Sequence, residues 1–214
     1  MPENRQFNQR LAAWHAELQR HVLEPLMPVN FSGAFTFDAL NPREASGLSF
    51  APVPAGTAWG RYREYGWFSA EITLPDGCSG RRVVLCSGTG GEQLVYLDGR
   101  AMGSVDAHHA YVTLFRQAPA GGRFRLLLES YAGNGPRLEN LGPCPPEREA
   151  IPAVPEYQQK VSESCLACVN EDAYQLYMDA DTLIRLWKRL PDASLRRQRI
   201  EAALRAYSHT ADFE

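Results

Sequence analysis

The chain has 214 residues, of which 44% are hydrophobic and 22% charged, and its net charge is −3. This is the balance of an ordinary globular protein that can bury a sizeable core; it lacks the positive excess that attracts nucleic acid. Apolar runs such as "VVL" and "LLL" fall far short of the roughly 20 residues a membrane-spanning helix needs, so no membrane partner is expected.

Phe7, Leu11, Trp14, Leu18 and Val22 recur at intervals of three and four, which predicts an amphipathic helix over 5–24, stopped by Pro25, within an N-terminal region 1–27. The same opening stretch has no apolar centre of the kind a secretory signal carries. Cys78, Cys86, Cys144, Cys165 and Cys168 are odd in number and irregularly spaced, which fits reduced thiols. Both features lead to the expectation of a cytoplasmic protein.

Residues 28–57 are rich in Pro, Gly, Asn and Ser and predict loops with at most two brief strands, "GAFTF" among them. From Gly66 to Ala132 the apolar period becomes two. "WFSAEITLP" places Phe68, Ala70, Ile72 and Leu74 on one face and Trp67 on the other, either toward solvent or under a helix. "RRVVLCSG", "EQLVYLDG", "AYVTLF" and "RFRLLLESYA" follow at the spacing of an antiparallel sandwich. Asp98-Gly99 supplies the positive φ angles of a type I′ hairpin turn, and "SGTGGE" reads as another hairpin connection. A β-sandwich domain is thus expected over 28–142.

Residues 143–169 hold the proline-rich run "GPCPPEREAIPAVPEY" and predict an extended linker. Helical periodicity returns over 170–214. Leu176, Tyr177, Ala180, Leu183, Ile184 and Trp187 form a broad apolar face after a cap at Asn170, and a turn at "LPDAS" leads into a second amphipathic helix. The basic run "KRLPDASLRRQR" lies on a polar helix face and is interrupted by Asp192, which marks a solvated surface.

"GTAWG", "YGWFSAEITLPDGCSGRRVVL", "GGEQLVYLDGRAMGSVDAHH", "LLLESYAGNGP" and "EDAYQLYMDADTLIRLWKRLPDASLRRQRIEAALRAY", in that order, resemble the N-terminal region of bacterial α-mannosidases of glycoside hydrolase family 38. The resemblance implies a mainly β fold: an antiparallel jelly-roll, galactose-binding-like sandwich with an N-terminal helix and a C-terminal helical pair. The helical pair would lead into a catalytic α/β barrel. The family's His-x-His metal motif and its nucleophilic aspartate have no matching positions, so no catalytic or metal-binding residue is assigned. The divalent, zinc-like metal would belong to the barrel, and no cofactor is expected in this chain.

The implied function is a non-catalytic accessory domain of an α-mannosidase acting on mannose-containing oligosaccharides. Its partners would be the barrel of the same polypeptide, mannose-containing glycans and a second copy in a homo-oligomer. A free-standing lectin-like module and an assembly scaffold are the alternatives.

Asp106 and His109 fall on an Asp-x-x-His loop that recurs in the family's sandwich, and with His108 they could shape a sugar pocket through hydrogen bonds to hydroxyls. The plainer reading is an Asp that caps its own loop. Trp59, Trp67 and Tyr65, with Tyr62 and Tyr96, are candidate sugar-stacking faces, although aromatics more often fill cores. Glu71, Glu92, Asp98, Asp106 and Glu129 offer no spacing that singles out the carboxylate pair a glycosidase needs. "CLAC", Cys165 to Cys168, has redox or zinc spacing but lacks the context either chemistry requires.

Overall fold

The computed structural model describes residues 2–134 and 155–210. Helix α1 spans Pro2–Arg20 and ends before the expected Glu24. The chain then enters strand β1, Leu23–Pro28. The residue before a proline is disfavoured in helical geometry, and two prolines are tolerated here because β1 is an edge strand.

Strand β2 follows at Ser32–Thr36, then a helical turn α2, Pro42–Ala45, and strand β3, Ala51–Pro52. The two short strands were expected and α2 was not. Its start is fixed by a capping box: the Asn41 side chain accepts from the Arg43 and Glu44 amides, and the Glu44 carboxylate accepts from the Asn41 amide at 2.8 Å.

Strands β4 (Ala58–Trp59), β5 (Tyr65–Thr73), β6 (Val83–Cys86), β7 (Glu92–Leu97), β8 (Arg100–Val105), β9 (Val112–Phe115) and β10 (Arg123–Tyr131) complete the alternating region. Within the expected linker, residues 143–154 lie outside those described. The remainder contains two strands, β11 (Gln159–Lys160) and β12 (Cys165–Val169).

Six strands pair in the order β3-β2-β5-β10-β7-β8, four in the order β1-β12-β6-β9, and β11 pairs with β4. The result is an antiparallel jelly-roll sandwich. Phe68, Ala70 and Ile72 of β5, and Leu74 just past its end, face inward with Leu126 and Leu128 of β10, and Val83, Leu85, Leu166 and Cys168 of the four-stranded sheet belong to the same core. On the other face of β5, Trp67 is fully buried with Ala45, Tyr96 and Leu127, so α2 is the helix that covers it.

β7 and β8 form the expected hairpin, with φ of 49° at Asp98 and 79° at Gly99. The "SGTGG" connection is not a hairpin. It joins β6 to β7, which lie in different sheets, because period-two patterning locates a strand without naming its neighbour.

Helix α3, Glu171–Arg189, starts at Asn170, whose side chain accepts from the Ala173 amide at 3.1 Å; helix α4 spans Leu195–Thr210. The described parts of Met1–Glu24 and Val169–Glu214 form one compact unit, and those of Pro25–Cys168 form another. In the helical unit, Phe7, Leu11, Trp14 and Leu18 of α1 pack with Ala180, Ile184 and Trp187 of α3 and with Ile200 and Leu204 of α4. The Phe7 and Trp187 rings meet edge to face at 5.5 Å.

Candidate functional site: a groove at the sandwich rim

At one end of the sandwich, the β6–β7 connection, the loop after β8, the end of β10 and the chain leading into and past β11 enclose a groove of about 1050 Å³. Its walls are tied by backbone contacts. The Gln159 side chain accepts from the Gly91 amide and donates to the Ala132 carbonyl, each at 3.0 Å. Gly91 has φ of 80°, and a Cβ there would stand 2.5 Å from the Tyr131 carbonyl oxygen, so this close approach requires glycine. Across the same connection, the Gly88 amide donates to the Ser164 hydroxyl at 2.9 Å.

The lining is mixed: Gln93, His108, Tyr131, Gln158, Gln159 and Ser162 bring polar groups, beside apolar surface from Val105, Ala107, Ala110, Ala132 and Pro155. Gln93 is buried and donates to the Gly90 carbonyl at 3.3 Å, while its Oε1 and the Oγ of Ser130, the residue opposite it, meet no hydrogen-bond partner among the described residues. The sequence reading overlooked these groups. Glutamines and a serine carry no motif, and β11, which brings Gln159 to Trp59, is about a hundred residues from it along the chain.

Asp106 and His108 line this groove, whereas His109 is not part of its lining and its side chain is 71% exposed. The Asp106 carboxylate accepts from the His108 amide at 2.7 Å, from the His109 amide at 2.8 Å and contacts the His109 Nδ1 at 3.0 Å. The backbone closes the same turn, with the Asp106 amide donating to the His109 carbonyl at 3.1 Å. The His108 amide, and after it His109, hold the carboxyl of Asp106 below its ordinary value. The carboxylate is therefore already engaged as the cap of its own loop.

Trp59 and Trp67 require correction as sugar-stacking candidates. Trp59 is 1% exposed, donates from Nε1 to the Thr89 carbonyl at 2.7 Å and meets the Phe68 ring at 5.3 Å; Trp67 has no exposed face. Burying such large aromatic surfaces is worth more to the core than leaving them open. Tyr65 is half-buried and tilts against Tyr131, centroid to centroid 5.1 Å, one step behind the groove wall. Tyr96 is buried, and Tyr62 is exposed with Arg63 over its ring.

The carboxylates have separate occupations. Glu71 pairs with Arg123, Asp98 accepts from the Arg125 amide at 2.8 Å, and Glu129, pushed up by burial, accepts from the Tyr96 hydroxyl at 3.4 Å. Among the described residues, no group of three or more His, Cys, Asp and Glu side chains is arranged to hold a metal. The "CLAC" cysteines lie on β12, where a spacing of three sends side chains to opposite faces.

Residues 27–151 match the family model described as alpha-mannosidase, jelly roll domain. The chain belongs to this family. This jelly roll domain chain is 28% identical over 171 residues to mouse (Mus musculus) Alpha-mannosidase 2C1, a match that covers 78% of this chain and 16% of that protein. With the human (Homo sapiens) Alpha-mannosidase 2C1 it shares 29% identity over 162 residues, 74% of this chain and 15% of the other. The jelly roll domain chain thus spans about one sixth of the length of these relatives. Among solved structures, it is similar to a Faecalibacterium prausnitzii Beta-glucuronidase, with a TM-score of 0.45, 16% identity and coverage of 67% of this chain and 31% of that one, a likeness too weak to bear on function.

Proposed function

We propose that this chain is the non-catalytic N-terminal accessory domain of an α-mannosidase of glycoside hydrolase family 38, acting on mannose-containing oligosaccharides in the cytoplasm. The observation that carries the reading is the alpha-mannosidase jelly roll match over 27–151, joined to the order of sequence motifs. The carboxylates of the sandwich support it, because Glu71, Asp98, Asp106 and Glu129 are each committed to a structural contact rather than poised as an acid and a nucleophile. In this reading the catalytic barrel and its metal belong to other residues of the same polypeptide, and the rim groove, with His108 and the Asp106 loop, is the surface that helps shape the mannose pocket. The purified chain is expected to leave an aryl α-mannoside intact, and a polypeptide that includes the barrel is expected to cleave it. Hydrolysis by this chain alone would overturn the assignment.

A second reading, a sugar-binding module in its own right, draws support from the size of the groove and from the polar side chains that share its lining with apolar ones. Titration calorimetry with mannose and mannobiose tests it. Heat lost on His108→Ala substitution would favour it, and a flat titration would remove it.

A further inference from the structure

Cys86 of β6 and Cys165 of β12 are direct partners in an antiparallel pair. Directly opposed residues in such a pair share a face, with Cα atoms about 4.5–5.5 Å apart, inside the roughly 4.4–6.8 Å that a disulfide spans. Their neighbours in the register, Leu85 with Leu166 and Val83 with Cys168, show the alternation: Leu85, Leu166, Val83 and Cys168 enter the sandwich core. Cys86 and Cys165 sit at the end of the ladder, both partly exposed and both thiols, with their side chains in hydrogen-bond contact.

We propose that Cys86 and Cys165 form a reversible cross-strand disulfide, a redox modification site that ties the last strand of the sandwich to β6. The oxidant class is a low-molecular-weight disulfide such as glutathione disulfide. The Cys165 thiolate attacks one sulfur of glutathione disulfide, forming a mixed disulfide and expelling one glutathione thiolate. The Cys86 sulfur then attacks the Cys165 sulfur, the protein disulfide forms, and the second glutathione thiolate leaves. The two cysteine protons pass to the two glutathione thiolates, so two cysteines are oxidised and one glutathione disulfide is reduced to two thiols.

The order of attack follows from the surroundings. Burial, and after it the neighbouring Cys165, pushes the Cys86 thiol up to about 12. Cys86 is therefore a poor first nucleophile, since the thiolate is the attacking form. Once Cys165 is capped by glutathione, the sulfur that Cys86 must attack lies directly opposite it in the β6–β12 pair.

The test equilibrates the 214-residue chain in glutathione buffers of graded oxidised-to-reduced ratio, blocks the remaining thiols and maps tryptic peptides without reduction. The expected product joins peptide 83–100 to peptide 161–185 with the loss of two hydrogens, and fragmentation assigns the bond to Cys165 rather than Cys168. It reverts in excess reduced glutathione. Cys86→Ser should accumulate glutathione on Cys165, and Cys144→Ser should leave the cross-link intact. The proposal fails if Cys86 and Cys165 stay fully alkylatable at every ratio, if the bond joins a different pair of cysteines, or if Cys86 rather than Cys165 carries the mixed disulfide.

Discussion

The sandwich draws its core from a continuous stretch of chain, whereas the helical unit gathers its core from the two ends. β5 and β10 are adjacent over nine residue pairs, Arg123 opposite Thr73 through Tyr131 opposite Tyr65, and each pair adds to a core already defined by its neighbours. The helical unit joins Phe7, Leu11 and Trp14 to Ile184, Trp187 and Leu204, residues separated by most of the sequence. Closing a long loop adds an entropy term that grows only slowly with length, so such an assembly is stable once made. The difference teaches that an amphipathic stripe announces burial without saying against what.

The sharpest way to probe this contrast is at the largest buried side chains. Trp59→Ala removes a ring from the sandwich core together with its hydrogen bond to Thr89 and should lower stability by about 3–5 kcal/mol. Urea denaturation followed by circular dichroism of the sheet measures it, and a loss under about 1 kcal/mol would show that the rim can collapse around the missing ring. A smaller effect is expected from Asn170→Ala, which leaves the Ala173 amide without its cap and should weaken α3 by about 1 kcal/mol. Amide exchange reports both regions at once: faster exchange in α3 with β5 and β10 unchanged keeps the two units distinct. Equal acceleration in both would merge them into a single cooperative block.

A pH titration separates the units in a gentler way. His15 of the helical unit stacks on Tyr177 at 4.6 Å and faces Asp181, Lys188 and Arg185 of α3. Burial lowers its pKa from the ordinary 6.5 and Asp181 only partly opposes this. The folded state therefore disfavours the imidazolium: stability is complete above pH 6.5 and declines as the pH falls below that value toward the lowered one. The thermal midpoint of the helices should drop between pH 7 and 5, and His15→Gln should abolish the drop.

The smallest expected effect belongs to the Asp106 loop. Its carboxyl is held below the ordinary carboxylate value, so its contacts persist at neutral pH and are lost as the pH falls through the lowered value. Asp106→Asn should speed exchange of the His108 and His109 amides at pH 7 and leave global unfolding unmoved.

How much of this was legible varies from element to element. The strands from β5 to β10 and the cap at Asn170 follow directly from alternation and side-chain chemistry. The helix stop at Arg20 did not, because Val22 continues the helical period while β1 claims the next residues for pairing. β12 was hidden in a linker reading, since its five residues hold no alternation and it is recognised only through its partner β6. The candidate site shows the same division. The Asp106 loop carries a local signal, a short acidic side chain placed to accept from the amides that follow it. Trp59 carries none: whether it stacks on a sugar or fills a core depends on Phe35, Phe68 and Thr89, which sequence distance keeps apart.

By itself, the sequence determined the sandwich, the positions of the long helices, the Asp98-Gly99 turn and the family likeness. The first three rest on local rules, namely residue periodicity, caps and the φ preferences of particular residues, and the likeness rests on the order of five sequence motifs. Only the tertiary structure decided that the "SGTGG" segment crosses between sheets, that α2 covers Trp67, that α1 shares a core with α3 and α4, and that Cys86 faces Cys165. Each of those outcomes is a choice of partner. Burying an apolar face is favourable against any complementary surface, and the surface is named only when the whole chain has packed.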